Sequence, residues 1–415
     1  MSLSVTFIRH GRSEANEAGL WQGYGDSELS EVGLEQAAAL GNRLAEAGFD
    51  LVIASDLKRA VQTAEALRVP FEVSPDWREL FIGLWEDRTF LEVDREHPGF
   101  WQKAVDQGDL RFGETGEDFR GFTSRVEAAF DDLVTRVGEG RVAVVTHGGV
   151  IDAIVARYLG RIPGRATFPI VTNTSLTVVD DGGFRIVGDG MRLVRFNDAS
   201  HLGRHPDVLD DFEYAGAPLV ALMRHGVTDA NLAGRIQGSS CWGLNEKGRR
   251  QAEAAAAWYG SVDRVISSPL SRALETARHF GVPVEENPDL AEMAFGEWEG
   301  QIVRDLVAAG DELAVKVFEE NMDLPRGGHG ETMADLMERT ARFLRCLELD
   351  AGLRTLVVSH GAAIRAMVAG AIGCRADLAE VMGVPSNASI SHLALGESGP
   401  MLVDYSIAPH LQPPI

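Results

Sequence analysis

"FIRHGRSEAN", residues 7–16, sets an arginine, a histidine and a glycine directly behind a short apolar run, and "LMRHGVTDAN", residues 222–231, does so again. Four further blocks recur in the same order. "SDLKRAVQTA" (55–64) returns as "SPLSRALETA" (268–277), and "REL" with "GLWED" (78–87) returns as "AEM" with "GEWEG" (291–300). "VVTHGGVI" (144–151) returns as "VVSHGAAI" (357–364), and "TNTSL" (172–176) as "SNASI" (386–390). Arg224 stands 215 residues after Arg9, and the later blocks are offset by 213 or 214. A fixed order with so little drift marks a tandem duplication.

Each copy spans roughly 200 residues, the size of one domain and far longer than a solenoid unit. A chain of 415 residues exceeds one ordinary core. The sequence divides into a first domain at 1–197, a linker at 198–217 and a second domain at 218–415. The linker, "DASHLGRHPDVLDDFEYAGA", is acidic and lacks apolar periodicity. His201 and His205 stand four apart there, but prolines are near and no third ligand is evident, so the stretch reads as a surface strap rather than a metal site.

Composition is that of folded globular protein, 45% apolar and 24% charged. A formal charge of −23 repels polyanions, which argues against nucleic acid and anionic membrane as partners. It leaves room for a small phosphate ester held by a local arginine cluster. Three cysteines without a CxxC pair fit a reducing cytoplasm. No stretch approaches the ~20 apolar residues of a membrane span, and cleavage of "MSLSVTFIRH" as a leader would remove the motif. The abundance of Ala, Gly and Arg fits a GC-rich bacterial source.

"LSVTFI", "LVIA" and "VAVVT" are β-branched runs suited to strands buried on both faces. Between them "SEVGLEQAAALGNRLAEAG" and "DLKRAVQTAEALR" carry helical spacing, with Ser30 and Asp56 as N-caps. Another amphipathic helix is expected to open near Thr115. The second copy repeats the series with "PLVALM", "RVIS" and "TLVVS". The fold expected is α/β, two tandem three-layer α/β/α sandwiches, each with a mostly parallel central sheet. Ligands of such sheets gather beyond the carboxyl ends of strands, where each "RHG", "S-x-L-x-R" and "HG" falls.

If those ends meet, Arg9, His10, Arg59, Glu79 and His147 converge in the first copy. Paired guanidiniums can fork onto a phosphate's oxygens, which lysine cannot do. A histidine among them offers a neutral nitrogen nucleophile near pH 7. In-line attack on phosphorus makes a phosphohistidine, Glu79 protonates the departing alcohol, and His147 donates to an equatorial oxygen. The arginines carry the charge, so no metal is required. Trp85 and Trp298 read as core packing, and His329 as a loop residue without a role.

The pattern R-H-G-x-[ST]-x-x-N, then S-x-L-x-R-A-x-x-T-A, then a glutamate ahead of G-x-W-E, then H-G-G or H-G-A, resembles the histidine phosphatase superfamily, branch 1, also called phosphoglycerate-mutase-like, in two tandem copies. The resemblance implies His10 and His225 as phosphate acceptors. It places Arg9, Arg59 and His147 in one phosphate pocket and Arg224, Arg272 and His360 in another. Glu79 and Glu292 become the proton donors, and Asn16 and Asn231 lie near the phosphate. In both copies 20 residues separate the second arginine from the glutamate, and 68 separate the glutamate from the second histidine.

The function implied is a cytoplasmic, metal-independent and cofactor-free phosphatase of small phosphorylated metabolites, with two active sites of differing specificity. The copies differ at Arg12 against Val227, at "GYGDSEL" against "GSSCWGL", and in the lid segments 81–120 and 294–331. Two alternatives stay open: phosphoryl transfer of the phosphoglycerate-mutase type, or one active domain with the second as a binding or dimerisation module. The assembly expected is a monomer with pseudo-twofold domain pairing, or a homodimer.

Overall fold

The computed structural model describes residues 2–159, 171–181, 191–203, 217–349, 352–374, 382–396 and 399–411. His205 and most of the acidic linker lie outside them. The chain divides into two compact units, one from Met1–Gly183 with Asn197–Gly203, the other from Phe184–Phe196 with Arg204–Pro414.

In the first unit β1 (Leu3–Arg9) leads through α1 (Glu14–Glu17) and α2 (Glu31–Leu44) to β2 (Leu51–Ala54). Next come α3 (Lys58–Glu65), β3 (Glu72–Val73), α4 (Phe90–Glu96), α5 (Phe100–Gln107) and α6 (Phe119–Val137). β4 (Gly140–Thr146), α7 (Gly148–Tyr158) and β5 (Leu176–Asp180) complete the series. The sheet order is β3-β2-β4-β1-β5, parallel except for β5. One face meets α2 and α3, where Leu40, Leu44, Ala60 and Ala64 bury Ile8, Val52, Ala143 and Val145. On the other face Phe7 meets Trp77 and Phe130 of α6. Both faces are covered, which is why these strands read as unbroken apolar runs instead of alternating ones.

The second unit repeats the plan. Within it Phe196 of β6 (Arg192–Asp198) pairs antiparallel with Tyr405. β7 (Leu219–Arg224), α8 (Asp229–Leu232), α9 (Glu246–Tyr259), β8 (Arg264–Ser267), α10 (Ser271–Arg278) and β9 (Val284–Glu286) follow. After α11 (Val303–Ala308), α12 (Glu312–Phe318) and α13 (Met333–Cys346) come β10 (Thr355–Ser359), α14 (Gly361–Ala371), β11 (Ile390–Gly396) and β12 (Gly399–Ile407). Here β12-β11-β7-β10-β8-β9 is the strand order, with β7, β10, β8 and β9 parallel.

Two local expectations are corrected. Asp56 does not cap α3: Leu57 is the N-cap residue, without a side-chain bond, and Asp56 accepts from Arg78 instead. The helix expected near Thr115 opens at Phe119, because the Asp118 carboxylate caps it by accepting from Gly121 N. Ser30 does cap α2, accepting from Gly33 N. Of the strap, Asp198 is buried in the first unit, held by both terminal nitrogens of Arg43 at 3.1 and 2.6 Å. His201 contacts Arg43 and the Thr174 hydroxyl, at 3.2 and 2.9 Å.

Candidate active site

Four parallel strands deliver the predicted residues to one end of each sheet. In the first unit Arg9 ends β1 and His10 follows it, Ser55 to Arg59 follow β2, Glu79 lies beyond β3, and His147 follows β4. In the second, Arg224 and His225, Ser268 to Arg272, Glu292 and His360 hold the same places after β7, β8, β9 and β10.

The histidines of each pair lie side by side, His10 with His147 at a ring-centroid distance of 5.2 Å and His225 with His360 at 5.1 Å. Nδ1 of His10 stands 2.7 Å from the Gly11 carbonyl, and Nδ1 of His225 the same distance from that of Gly226. A carbonyl only accepts, so each Nδ1 carries the proton and each Nε2 presents a lone pair. Arg59 Nε donates to that lone pair of His10 at 3.2 Å. In the second unit the equivalent Arg272 Nε donates instead to His360 Nδ1, at 3.2 Å. His147 and His360 each place Nε2 against a serine hydroxyl, Ser55 at 2.8 Å and Ser268 at 2.7 Å.

The arginines are built in, not draped over the surface. Arg59 and Arg272 are buried, and each anchors its two terminal nitrogens on loop carbonyls. Arg59 donates to Gly25 O at 2.7 Å and Gly23 O at 2.9 Å; Arg272 donates to Ser240 O at 3.0 Å and Gly238 O at 2.7 Å. One hydrogen of each terminal nitrogen is thus engaged, and the other is left for a ligand. Arg9 Nη1 donates to Val171 O, and Arg224 Nη1 to Pro385 O at 2.6 Å. Buried and without a partner among the described residues are Nε of Arg9, Nε of Arg224 and Nδ1 of His147. Buried donors left in this state are costly unless an acceptor joins them.

Burial sets the protonation of the cluster. Burial first, then the positive field of Arg59 and Arg9, holds His10 well below the ordinary histidine value. Burial, then Arg59, does the same for His147. His225 and His360 are lowered for the same reasons, with Arg224 and Arg272 as the neighbours. All four imidazoles are therefore neutral near pH 7. Burial also lowers Arg9, to about 10, so it keeps its charge.

Glu79 accepts from Leu80 N at 2.8 Å and, across the fold, from Gly149 N at 3.0 Å in the first turn of α7. A Cβ at Gly149 would collide with its carboxylate. The second unit has Ala362 at that place, and Glu292 accepts from Ala362 N and Ala363 N at 3.3 and 3.2 Å. Asn16 and Asn231 are engaged as capping-box partners of Ser13 and Thr228. Trp85 and Trp298 are buried.

Several residues that position the site were missed. Besides Ser55 and Ser268, Glu86 accepts from the backbone of Gly23, Tyr24 and Gly25 at 3.0, 2.7 and 3.0 Å, fixing the loop that holds Arg59. Glu299 holds the matching loop by accepting from Ser239 N at 2.8 Å and from the Ser240 hydroxyl at 2.5 Å. The Arg125–Glu117 pair braces the segment before and after Glu79, Arg125 donating to the Asp76, Arg78 and Glu79 carbonyls. Arg339 and Glu331 do the same around Glu292. Asn173 and Asn387 donate to the carbonyls of His10 and His225 at 2.9 and 3.1 Å. Most of these recur in the duplicated blocks, which was the available signal.

Comparison with known proteins agrees with the duplication. The model of the histidine phosphatase superfamily (branch 1) matches residues 5–199 and again 220–408. Adenosylcobalamin/alpha-ribazole phosphatase of Salmonella typhimurium is 35% identical over 168 residues, 38% of this chain and 80% of that protein. Glucosyl-3-phosphoglycerate phosphatase of Mycolicibacterium vanbaalenii is 35% identical over 173 residues, 38% of this chain and 74% of that protein. Metal-independent phosphoserine phosphatase of Arabidopsis thaliana is 34% identical over 187 residues, 42% of this chain and 75% of that protein. With two matches that together cover almost its whole length, the chain belongs to branch 1 of the histidine phosphatase superfamily.

Proposed function

We propose that this histidine phosphatase hydrolyses small phosphate monoesters at two sites, with His10 and His225 as the phosphate acceptors and with different preferences at each. The Nε2 lone pair of His10 attacks phosphorus in line; the P–N bond forms as the ester P–O bond breaks, and the departing oxygen takes a proton from Glu79. Glu79, now a carboxylate, accepts a proton from water as its oxygen attacks the phosphohistidine, which releases phosphate and restores the neutral imidazole. The oxygens in flight are met by Arg9 and Arg59 and by His147, whose Nδ1–H is available once the Ser55 hydroxyl donates to Nε2. Arg224, Arg272 and Glu292 take the same parts around His225, whereas His360 accepts from Arg272 Nε at Nδ1 and so carries its proton on Nε2, toward Ser268.

The observation that carries this reading is the lone pair at Nε2 of His10, set by the Gly11 carbonyl and met by Arg59 Nε, beside the buried Nε of Arg9, which has no partner among the described residues. The relatives are named as adenosylcobalamin/alpha-ribazole, glucosyl-3-phosphoglycerate and phosphoserine phosphatases, which supports a small phosphorylated metabolite as substrate. None of Cys241, Cys346 and Cys374 is in a disulfide, which supports a reducing cytoplasm. Among the described residues no helix is long and apolar enough to cross a membrane. The two domains are taken as 1–197 and 218–415, joined by 198–217.

The test is phosphate release from a panel of monoesters by His10→Ala, His225→Ala and the double variant, with acid-labile phosphoryl groups located by rapid-quench mass spectrometry. Each single variant is expected to keep one set of activities and one adduct, and the double variant none. Full activity in the double variant would overturn the proposal.

A further inference from the structure

The alcohol of a bound ester must lie beside the carboxyl group that protonates it, so the side chains flanking Glu79 and Glu292 border the part of the substrate that varies. Around Glu79 they form a wall. Tyr24 sits between the two loop glycines that anchor Arg59, and its ring lies on that of Phe81, centroids 4.8 Å apart. The guanidinium of Arg78 lies 4.8 Å from the Tyr24 ring centroid, and its charge is matched by Asp56 through two hydrogen bonds of 2.6 and 2.5 Å. Two rings and a neutralised ion pair therefore tie the arginine loop to the segment bearing the proton donor. Both rings are only half-buried, so an apolar surface remains on offer.

The second unit lacks every member of it. Ser239 replaces Tyr24, Ala294 replaces Phe81, Ala291 replaces Arg78 and Pro269 replaces Asp56, while the anchoring of Arg272 is retained. Ser239 is exposed. Trp242 adds a ring further out on that loop, but it makes no ring contact with the Glu292 segment among the described residues. The phosphate cradle is common to both sites and the wall belongs to one.

Resting on the two-site phosphatase reading above, we propose that Tyr24 and Phe81 determine specificity. The first site selects monoesters whose alcohol carries a flat apolar ring next to the ester oxygen. The second, unwalled and bordered by the Ser239 hydroxyl, which donates to Glu299 at 2.9 Å and keeps its lone pairs to accept from a substrate hydroxyl, takes polyhydroxylated alcohols without such selection.

Benzyl phosphate and glucose 6-phosphate test this, because both are esters of primary alcohols and differ mainly in what borders the leaving oxygen. In His225→Ala, which leaves the first site, the ratio of kcat/KM for benzyl over glucose ester is expected to exceed that in His10→Ala by about tenfold or more, the scale on which an apolar contact discriminates. Adding Tyr24→Ser and Phe81→Ala to His225→Ala lowers the ratio about tenfold with competitive inhibition by inorganic phosphate unchanged. Ser239→Tyr with Ala294→Phe in His10→Ala raises it. If the Tyr24→Ser, Phe81→Ala variant loses phosphate inhibition, Phe81→Leu alone in His225→Ala is read, and it must lower the ratio about threefold. Equal ratios at the two sites, or a ratio that Phe81→Leu leaves unmoved, overturn the proposal while phosphate release stands. No release from either ester at either site overturns the phosphatase reading and this inference with it.

Discussion

Arg59 shows why one side-chain type is required at its position. Its three nitrogens reach His10, Gly23 O and Gly25 O from one planar group, a fork that an ammonium on a flexible stem cannot reproduce. Arg59→Lys in a His225→Ala background is therefore expected to lower kcat at the first site about 10²- to 10³-fold, the cost of removing one preorganised donor to the transition state. Steady-state phosphate release measures it, and a kcat within about twofold of the parent would refute the assigned role. Arg9, His10, Arg59 and His147 were legible because each ends or follows an apolar run and recurs at constant spacing. Ser55, Glu86 and Arg125 were not assigned roles, because each acts on a neighbour far away in sequence: Ser55 meets His147 92 residues on.

At the scale of elements, the strap after β6 shows what sequence periodicity misses. Asp198 is wholly buried against Arg43 of α2, which is nearly so. Leaving one partner of such a pair without the other costs about 3–5 kcal/mol. The second copy has Trp258 and Ile407 at the matching places, both part of its apolar packing. Arg43→Met alone is expected to lower Tm, with calorimetry as the readout, while Arg43→Trp together with Asp198→Ile recovers most of the loss. A single variant as stable as the parent would show the pair to be dispensable. Strands and the helices α2, α3 and α6 followed from apolar spacing. The starts of α3 and α6 did not, because competing carboxylates nearby can each be read as a cap, and only contacts show that Asp56 is taken by Arg78.

For the whole molecule, the buried histidines couple folding to pH. His10, His147, His225 and His360 are lowered in the folded state, whereas the unfolded chain titrates near ~6.5. Below that pH the unfolded state binds protons that the native state does not, so stability falls as pH falls from ~6.5, by up to ~1.4 kcal/mol per pH unit for each histidine. Tm between pH 6.5 and 5.5 should decline in the parent and decline less in His10→Gln. Inorganic phosphate should raise Tm by binding the native cradles, about 2.7 kcal/mol per site at a hundred times its Kd. A pH-independent Tm in that window, or one indifferent to phosphate, would contradict the picture of neutral imidazoles grouped around an anion site. The net charge of −23 does not oppose this, since the arginines act at contact distance and the overall field is screened within about 10 Å.

Sequence alone determined the duplication, the α/β class and which arginines and histidines stand at the strand ends, because strand period, residue type and spacing are local and were written twice. Only tertiary structure decided which nitrogen of His10 faces the Gly11 carbonyl and which faces Arg59, which carbonyls hold Arg59, and that the rings of Tyr24 and Phe81 pack against each other beside Glu79. Those facts depend on contacts between segments that share no local pattern, and a hydrogen bond or a ring contact exists only once the strand ends have been brought together.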